Sequence, residues 1–357
     1  MENNRRKKRR KKKSNKAVLI FLAVLVVIAA VVTFMVYRMV STNMGGGNSV
    51  TVEIPQGSTV NDIAEILEEN GVVDSAEHFI FLCKSKGEGS LFKYGTYEFN
   101  AGDDFYTITE KLNSGDSLDT SIHITVKEGM WLSEIAQAVA EAGLCGVDEF
   151  MAAADSRDYD YDFVKDIPER ESLLEGYLYP ETYHIQPGTS AHDIVDTMLA
   201  QFDKVCTEND LYSKAEKAGK SLDDIVIIAS LIESEVKVED ERPLVSSVIY
   251  NRLDQNMKLQ IDASVIYSLG ERVSRVYYSD LETENEHNTY YVTGLPVGPI
   301  CSPRAASLVA AAEPADTDYL YYVVEDQETG KHYFTADYDD FLTASEKYRS
   351  TLDNQES

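Results

Sequence analysis

The chain has 357 residues, enough for two or three modest domains with a real core, and its net charge of −28 is divided sharply by position. Residues 1–40 hold eleven of the 33 Lys/Arg and one of the 61 Asp/Glu, so the remainder carries 22 basic against 60 acidic residues, a net of −38. A body that acidic is repelled by nucleic-acid phosphates, so no nucleic-acid partner is expected.

Residues 1–16 form a basic segment, and Ala17–Tyr37 (AVLIFLAVLVVIAAVVTFMVY) is an unbroken run without a charge. A helix of that length spans ~30 Å, about the hydrocarbon thickness of a bilayer. This pattern predicts a single transmembrane helix over residues 17–40, with the basic block cytoplasmic and the rest of the chain outside the plasma membrane. The competing reading, a cleaved signal peptide, usually has a shorter apolar region ending in an A-x-A-like site. Residues 41–49, STNMGGGNS, read as a flexible linker.

A repeat follows. IPQGSTVNDIAEILEENG (54–71) and VKEGMWLSEIAQAVAEAG (126–143) match at fixed offsets: Gly57 and Gly129 are each followed by Ile-Ala and then by a second glycine, Gly71 and Gly143. Weaker copies surround Gly102 and Gly188. Each copy predicts an alternating strand, a glycine turn and a short amphipathic helix. Residues 50–120 resemble the LysM module, a small fold that binds N-acetylglucosamine-containing glycans, and 121–220 form a second strand–Gly–helix region. The cysteines Cys83, Cys145, Cys206 and Cys301 are scattered, with neither C-x-x-C nor H-E-x-x-H in the chain, so no metal is expected.

From Ser221 the pattern changes to longer helices, giving a mainly helical domain over 221–349 and a polar tail over 350–357. In IIASLIESEVKVEDERP (227–243) an apolar helix carries two glutamates, Glu233 and Glu235. Burying a carboxylate gains nothing unless it is paired or used. Periodicity places both on the flanks of the stripe Ile225, Ile228, Ile232 and Val236 and does not choose between them. Pro243 opens a second helix, PLVSSVIYNRL, on which Arg252 continues an apolar stripe and is expected to need an anionic partner. A glutamate held by an arginine stays ionised, whereas one among apolar groups has a raised pKa and can donate a proton. Ser302–Pro314 read as a later helix, and YLYYVVED with KHYFTA as a closing hairpin. The fold class expected is α+β.

EGYLYPETYHI, ASLIESE, ER-x5-VIYNRL, QIDASVIYSLG and NTYYVTGLPVGPICSP occur in this order. Together they resemble the endolytic murein transglycosylase (YceG-like) family over residues 50–345. The resemblance implies a membrane-anchored lytic transglycosylase that cuts nascent glycan strands of peptidoglycan within the strand, with cell-wall synthases as further partners and no cofactor. It implies Glu235 as the catalytic residue. Glu233 is then the structural partner of Arg242 or Arg252. Motif residues expected to line the glycan groove are Asn251, Arg252, Gln260, Asp262, Asn288, Thr289, Tyr290, Gly294, Leu295 and Pro296. Tyr177, Tyr179, Tyr183, Tyr290 and Tyr291 are candidates for stacking on sugar faces. The chain departs from the family pattern at Ile261 and Ala263, at Arg304 after Pro303, and in the acidic YDDF after His332 and Phe334. Two rival readings are a hydrolytic muramidase using Asp262 as a second carboxylate, and a non-catalytic LysM-like scaffold that binds the wall.

Overall fold

The repeated pattern folds as strand and helix, with described glycine turns at Gly57, Gly129 and Gly188, and the copies pair. The computed structural model describes residues 25–31, 49–100, 103–118 and 120–355. The predicted basic segment, linker and membrane span lie outside these residues, apart from a helical, exposed stretch at 25–31 and Ser49, the last residue of the expected linker, which already belongs to a strand. Among the described residues no helix is long and apolar enough to cross a membrane.

Contacts divide the chain into two compact units, residues 1–120 and 121–357. The first holds β1 (Ser49–Ile54), α1 (Val60–Glu69), α2 (Ala76–Lys86), β2 (Gly95–Asn100) and α3 (Phe105–Ser114). β1 and β2 are antiparallel, Ser49 opposite Asn100 and Ile54 opposite Gly95. Alternation turns Val52, Ile54, Tyr97 and Phe99 inward, onto Ile63, Leu67, Phe79, Ile108 and Leu112. Thr59 starts α1 with a reciprocal capping box to Asp62.

The second unit begins with the same plan: β3 (Ile122–Thr125), α4 (Leu132–Glu141), α5 (Val147–Ala154), α6 (Asp162–Asp166), β4 (Thr182–Ile185) and α7 (Ala191–Glu208). β3 pairs antiparallel with β4, Ile122 opposite Ile185. In chain order the four sequence copies therefore pair first with second in one unit and third with fourth in the other. Gly57, Gly129 and Gly188 turn each strand into its helix at φ of +84°, +77° and +84°, a region in which a β-carbon is strained.

The rest of this unit comprises α8 (Leu211–Lys217), α9 (Leu222–Glu235), α10 (Arg242–Asp254), α11 (Asp262–Leu269), α12 (Tyr278–Leu281), α13 (Ala305–Ala312), β5 (Tyr321–Asp326), β6 (Lys331–Thr335) and α14 (Tyr338–Gln355). α9 is buried on every side from Ile225 to Ile232, Ser230 included. It packs against α13, whose Ser307, Ala310 and Ala311 allow close approach. Ile124, Ile135, Phe202, Ile228, Val245 and Leu308 belong to one core, so segments on both sides of residue 220 are packed together. β5 and β6 form the expected hairpin, with a bulge between Val324 and Asp326. The backbone of α14 continues through the expected polar tail as far as Gln355.

Candidate active site

α9 begins at Ser221, whose hydroxyl accepts from the Asp224 amide while the Asp224 carboxylate accepts from the Ser221 amide. Its first turn is fixed from outside by Arg170, which grips Asp223 at 2.7 and 3.1 Å, and by the Tyr177 hydroxyl at 2.7 Å. The helix ends at Glu235, because Val236 is extended (φ −103°, ψ 121°). The two glutamates thus occupy its last turn, where the negative end of the helix dipole disfavours a carboxylate that lacks a cationic partner.

Glu233 has such partners. Its Oε1 receives the Arg304 Nε at 2.9 Å; its Oε2 receives the Arg304 amide at 3.1 Å and the Ser307 hydroxyl at 2.7 Å, and lies 3.5 Å from Arg242. Arg242 is itself buried, bonds Ser307 at 2.6 Å and meets Glu239 at 3.3 Å. Glu233 is a buried structural anion tying α9 to α10 and α13.

Glu235 has no arginine. Its Oε2 accepts a 3.0 Å hydrogen bond from the Tyr322 hydroxyl on β5. Burial raises its carboxyl to about 7; the Tyr322 hydroxyl opposes the rise, the charge of Asp262 adds to it, and the Ala263 amide opposes it. A carboxyl at about 7 is protonated in a useful fraction near neutrality and, once ionised, is a competent base.

Asp262 is exposed at the start of α11 and accepts the Tyr290 hydroxyl at 2.7 Å. The preceding Gln260 is exposed and held at φ 55°, an uncommon backbone state for a side chain of its size. Tyr290, Gly294 and Leu295 are half-buried, and Pro296 is buried. The remaining groove residues expected from the sequence are supports. Asn288 is buried and donates to the carbonyls of Leu281 and Thr283 at 3.0 and 2.8 Å. Thr289 is buried, accepting from the Ile261 amide and bonding Ser264, each at 2.8 Å. Neither side chain has surface left for a ligand.

Arg252 requires a correction: its partners are carbonyl oxygens and not a carboxylate. It donates to Leu320 at 2.7 Å, Leu259 at 2.7 Å and Lys258 at 3.3 Å, with its guanidinium over the Tyr321 ring. Five N–H donors in a planar fork satisfy several carbonyls at once, which a carboxylate partner does not require. Asn251 likewise donates to Thr317 and Tyr319, both at 2.9 Å. The Asn-Arg pair thus fastens the segment leading into α11 and the segment leading into β5. The hairpin is also held by a buried Glu241–His332 pair, Oε2 to Nδ1 2.7 Å. Of the tyrosines considered for stacking, Tyr177 and Tyr183 are buried in the core, Tyr179 is half-buried and Tyr291 is exposed.

Two residues were missed. Tyr322 sits in a segment whose alternation marked it only as strand. Glu175, in the quoted EGYLYPETYHI, is buried and accepts from the Leu132 amide at 3.0 Å and the Tyr267 hydroxyl at 2.9 Å. Burial raises its carboxyl to about 7. Tyr267 lies on α11, so Glu175 anchors the helix that begins with Asp262. The adjoining Gly176 (φ +85°) has no room for a β-carbon, which would lie 2.6 Å from Pro299. The glycine brings the first motif directly onto the last.

The model of the YceG-like family matches residues 52–347. The chain is 36% identical over 315 residues to an endolytic murein transglycosylase of Bacillus subtilis, covering 85% of this chain and 86% of that one. It is 31% identical over 317 residues to the endolytic murein transglycosylase of Streptococcus pneumoniae D39, covering 82% of this chain and 57% of that longer protein. A crystal structure of a yceG-like protein from Listeria monocytogenes superposes with a TM-score of 0.56 at 31% identity, covering 83% of this chain and 99% of that one. Over a span that takes in both glutamates, the α11 segment and the hairpin, this chain belongs to the YceG-like family.

Proposed function

We propose that this protein is an endolytic lytic transglycosylase of peptidoglycan, with Glu235 as its acid and base. The observation that carries the reading is a carboxyl raised to about 7 at the end of a buried helix, beside a second glutamate fully occupied by arginines. Glu235 protonates the oxygen linking N-acetylmuramic acid to N-acetylglucosamine, and the C1–O bond breaks. The resulting carboxylate removes the proton from the muramyl 6-hydroxyl, whose oxygen closes on C1 and leaves a 1,6-anhydro end. The internal nucleophile is already tethered beside C1, so no positioned water is needed. The direct test is purified full-length protein on isolated glycan strands. Wild type shortens the strands and Glu235→Gln does not; cleavage by the Gln variant overturns the assignment.

A hydrolytic muramidase is the second reading, favoured by one observation: the charge of Asp262 acts on Glu235. Such an enzyme uses a second carboxylate for water or for a covalent intermediate. Asp262 already accepts the Tyr290 hydroxyl, which suits a fixed charge better than a mobile base.

The basic block and the apolar run support anchoring by residues 17–40 with the catalytic unit extracytoplasmic. In that arrangement the enzyme meets new strands near the synthases that make them. A reporter fused after Ser49 is then active only outside the cytoplasm, and release of a shortened soluble form argues against the anchor. The paired strand–helix plan of residues 49–114 supports a LysM-like, glycan-binding role for the first unit.

A further inference from the structure

The Tyr322 hydroxyl is the one side-chain donor on Glu235 among the described residues, and several independent contacts fix where it stands. Arg252 holds Leu320, two residues before it, and Asn251 holds Thr317 and Tyr319. On β6, Glu241 takes both the amide and the ring Nδ1 of His332, at 3.0 and 2.7 Å. The His332 ring meets the Tyr322 ring edge-on, with centroids 5.4 Å apart, and Phe334 packs against it at 5.9 Å. Four buried or half-buried polar groups, Asn251 and Arg252 on α10, Glu241 on the turn before it and His332 on β6, therefore aim one phenol at one carboxyl oxygen.

We propose that Tyr322 is a positioning residue for Glu235, its hydroxyl holding Oε2 so that the reacting proton is carried on Oε1. This rests on the assignment of Glu235 as the acid. A carboxyl has two nearly equivalent oxygens, and a fixed donor on one leaves the other to carry the proton. In the first step that proton moves from Oε1 to the glycosidic oxygen as the C1–O bond breaks. In the second, Oε1 takes the proton of the 6-hydroxyl as its oxygen bonds to C1. Tyr322 keeps its own proton throughout: burial and the neighbouring Glu235 hold its hydroxyl well above the usual phenol range. A donor to the ionised form also opposes the upward pull of burial, so it keeps the acid within the range where it works in both directions.

The groups facing this pair are few. Asp262 and the Ala263 amide approach Glu235 from α11, Tyr290 reaches Asp262, and Arg252 and His332 flank the Tyr322 ring. Removing the hydroxyl leaves all of them in place. The test is the pH profile of kcat/KM for Tyr322→Phe against wild type on glycan strands, with Glu235→Gln as a control. The Phe variant is expected to cleave several-fold more slowly near neutrality, with its alkaline limb moved up by about half to one pH unit, since a lost donor to the charged form raises an acid's pKa. A ¹³C titration of the Glu235 carboxyl, assigned by its loss in Glu235→Gln, should move the same way. Should the Phe form fail to fold, Tyr322→Met fills the site without a donor and is read in the same two measurements. A Phe or Met profile and titration superposing on wild type, while Glu235→Gln is inactive, overturns the role of Tyr322 alone. Cleavage by Glu235→Gln removes the assignment of Glu235 itself.

Discussion

Two glutamates two positions apart carry opposite assignments because their surroundings differ in one respect, the presence of a cation. Glu233 is wrapped by Arg242, Arg304 and Ser307, and Glu235 by a phenol, an amide and a nearby negative charge. Glu233→Gln should therefore leave the buried Arg242 short of charge compensation and cost about 3 kcal/mol or more, read as a lowered Tm. A stable but inactive Glu233→Gln would reverse the roles of the pair. Asp262→Asn removes a charge that pushes the Glu235 carboxyl up, so the alkaline limb of its pH profile should shift downward while cleavage persists. Abolished cleavage in that variant would instead favour the hydrolase. The sequence made the pair visible as carboxylates in an apolar helix, but periodicity put both on equivalent flanks. What separates them is tertiary. Arg304 supplies the shortest contact between Glu233 and a charged side chain.

Among the elements, the surroundings of Glu235 are assembled from α9, α11 and the β5–β6 hairpin, and α10 fastens the latter two. Arg252 bridges them through backbone carbonyls, with one guanidinium reaching Leu320 and Leu259. Lysine keeps the charge but cannot span both, so Arg252→Lys should lower stability by about 1–3 kcal/mol and slow cleavage. Thermal melts and strand-cleavage rates on the same preparation check this, and an unchanged rate would separate Arg252 from the site. The elements themselves were legible: the hairpin, the Pro243-initiated helix and the small-residue helix all follow from pattern and turn chemistry. Their connections were not. A buried arginine was expected to find a carboxylate because charge seeks charge, yet carbonyls at segment ends satisfy a guanidinium equally well and leave no trace in the sequence. Asn288 and Thr289 were expected in the groove as motif residues; both are buried, and in a sequence a motif residue that fixes a loop reads like one that touches substrate.

Across the whole chain, the strand–Gly–helix repeat becomes two paired sets, one in each compact unit, and the second shares one core with α9, α10 and α13. Sequence offsets revealed the copies; that the first pairs with the second and the third with the fourth depends on packing between segments tens of residues apart. The core also holds two carboxyls raised to about 7 by burial, Glu175 and Glu235. Between the ordinary value of 4.5 and about 7 the folded state binds more protons at these groups than the unfolded chain does. Their contribution is therefore fully present below pH 4.5 and is lost as pH rises through about 7. Glu175→Gln should abolish part of that loss, raising Tm at pH 8 more than at pH 5, with an upper bound of about 3 kcal/mol set by the linkage relation. Equal shifts at both pH values would show that Glu175 is ionised throughout.

In the proposed reaction one glutamate serves as acid and then base, with the sugar's own hydroxyl as nucleophile. Mass analysis of the fragments released from purified peptidoglycan in heavy-oxygen water tests it most directly. The predicted muramyl ends are non-reducing, about 18 Da lighter than hydrolysed ends and free of solvent oxygen, as one carboxyl without an activated water requires. Reducing muramyl ends carrying the heavy label would contradict it.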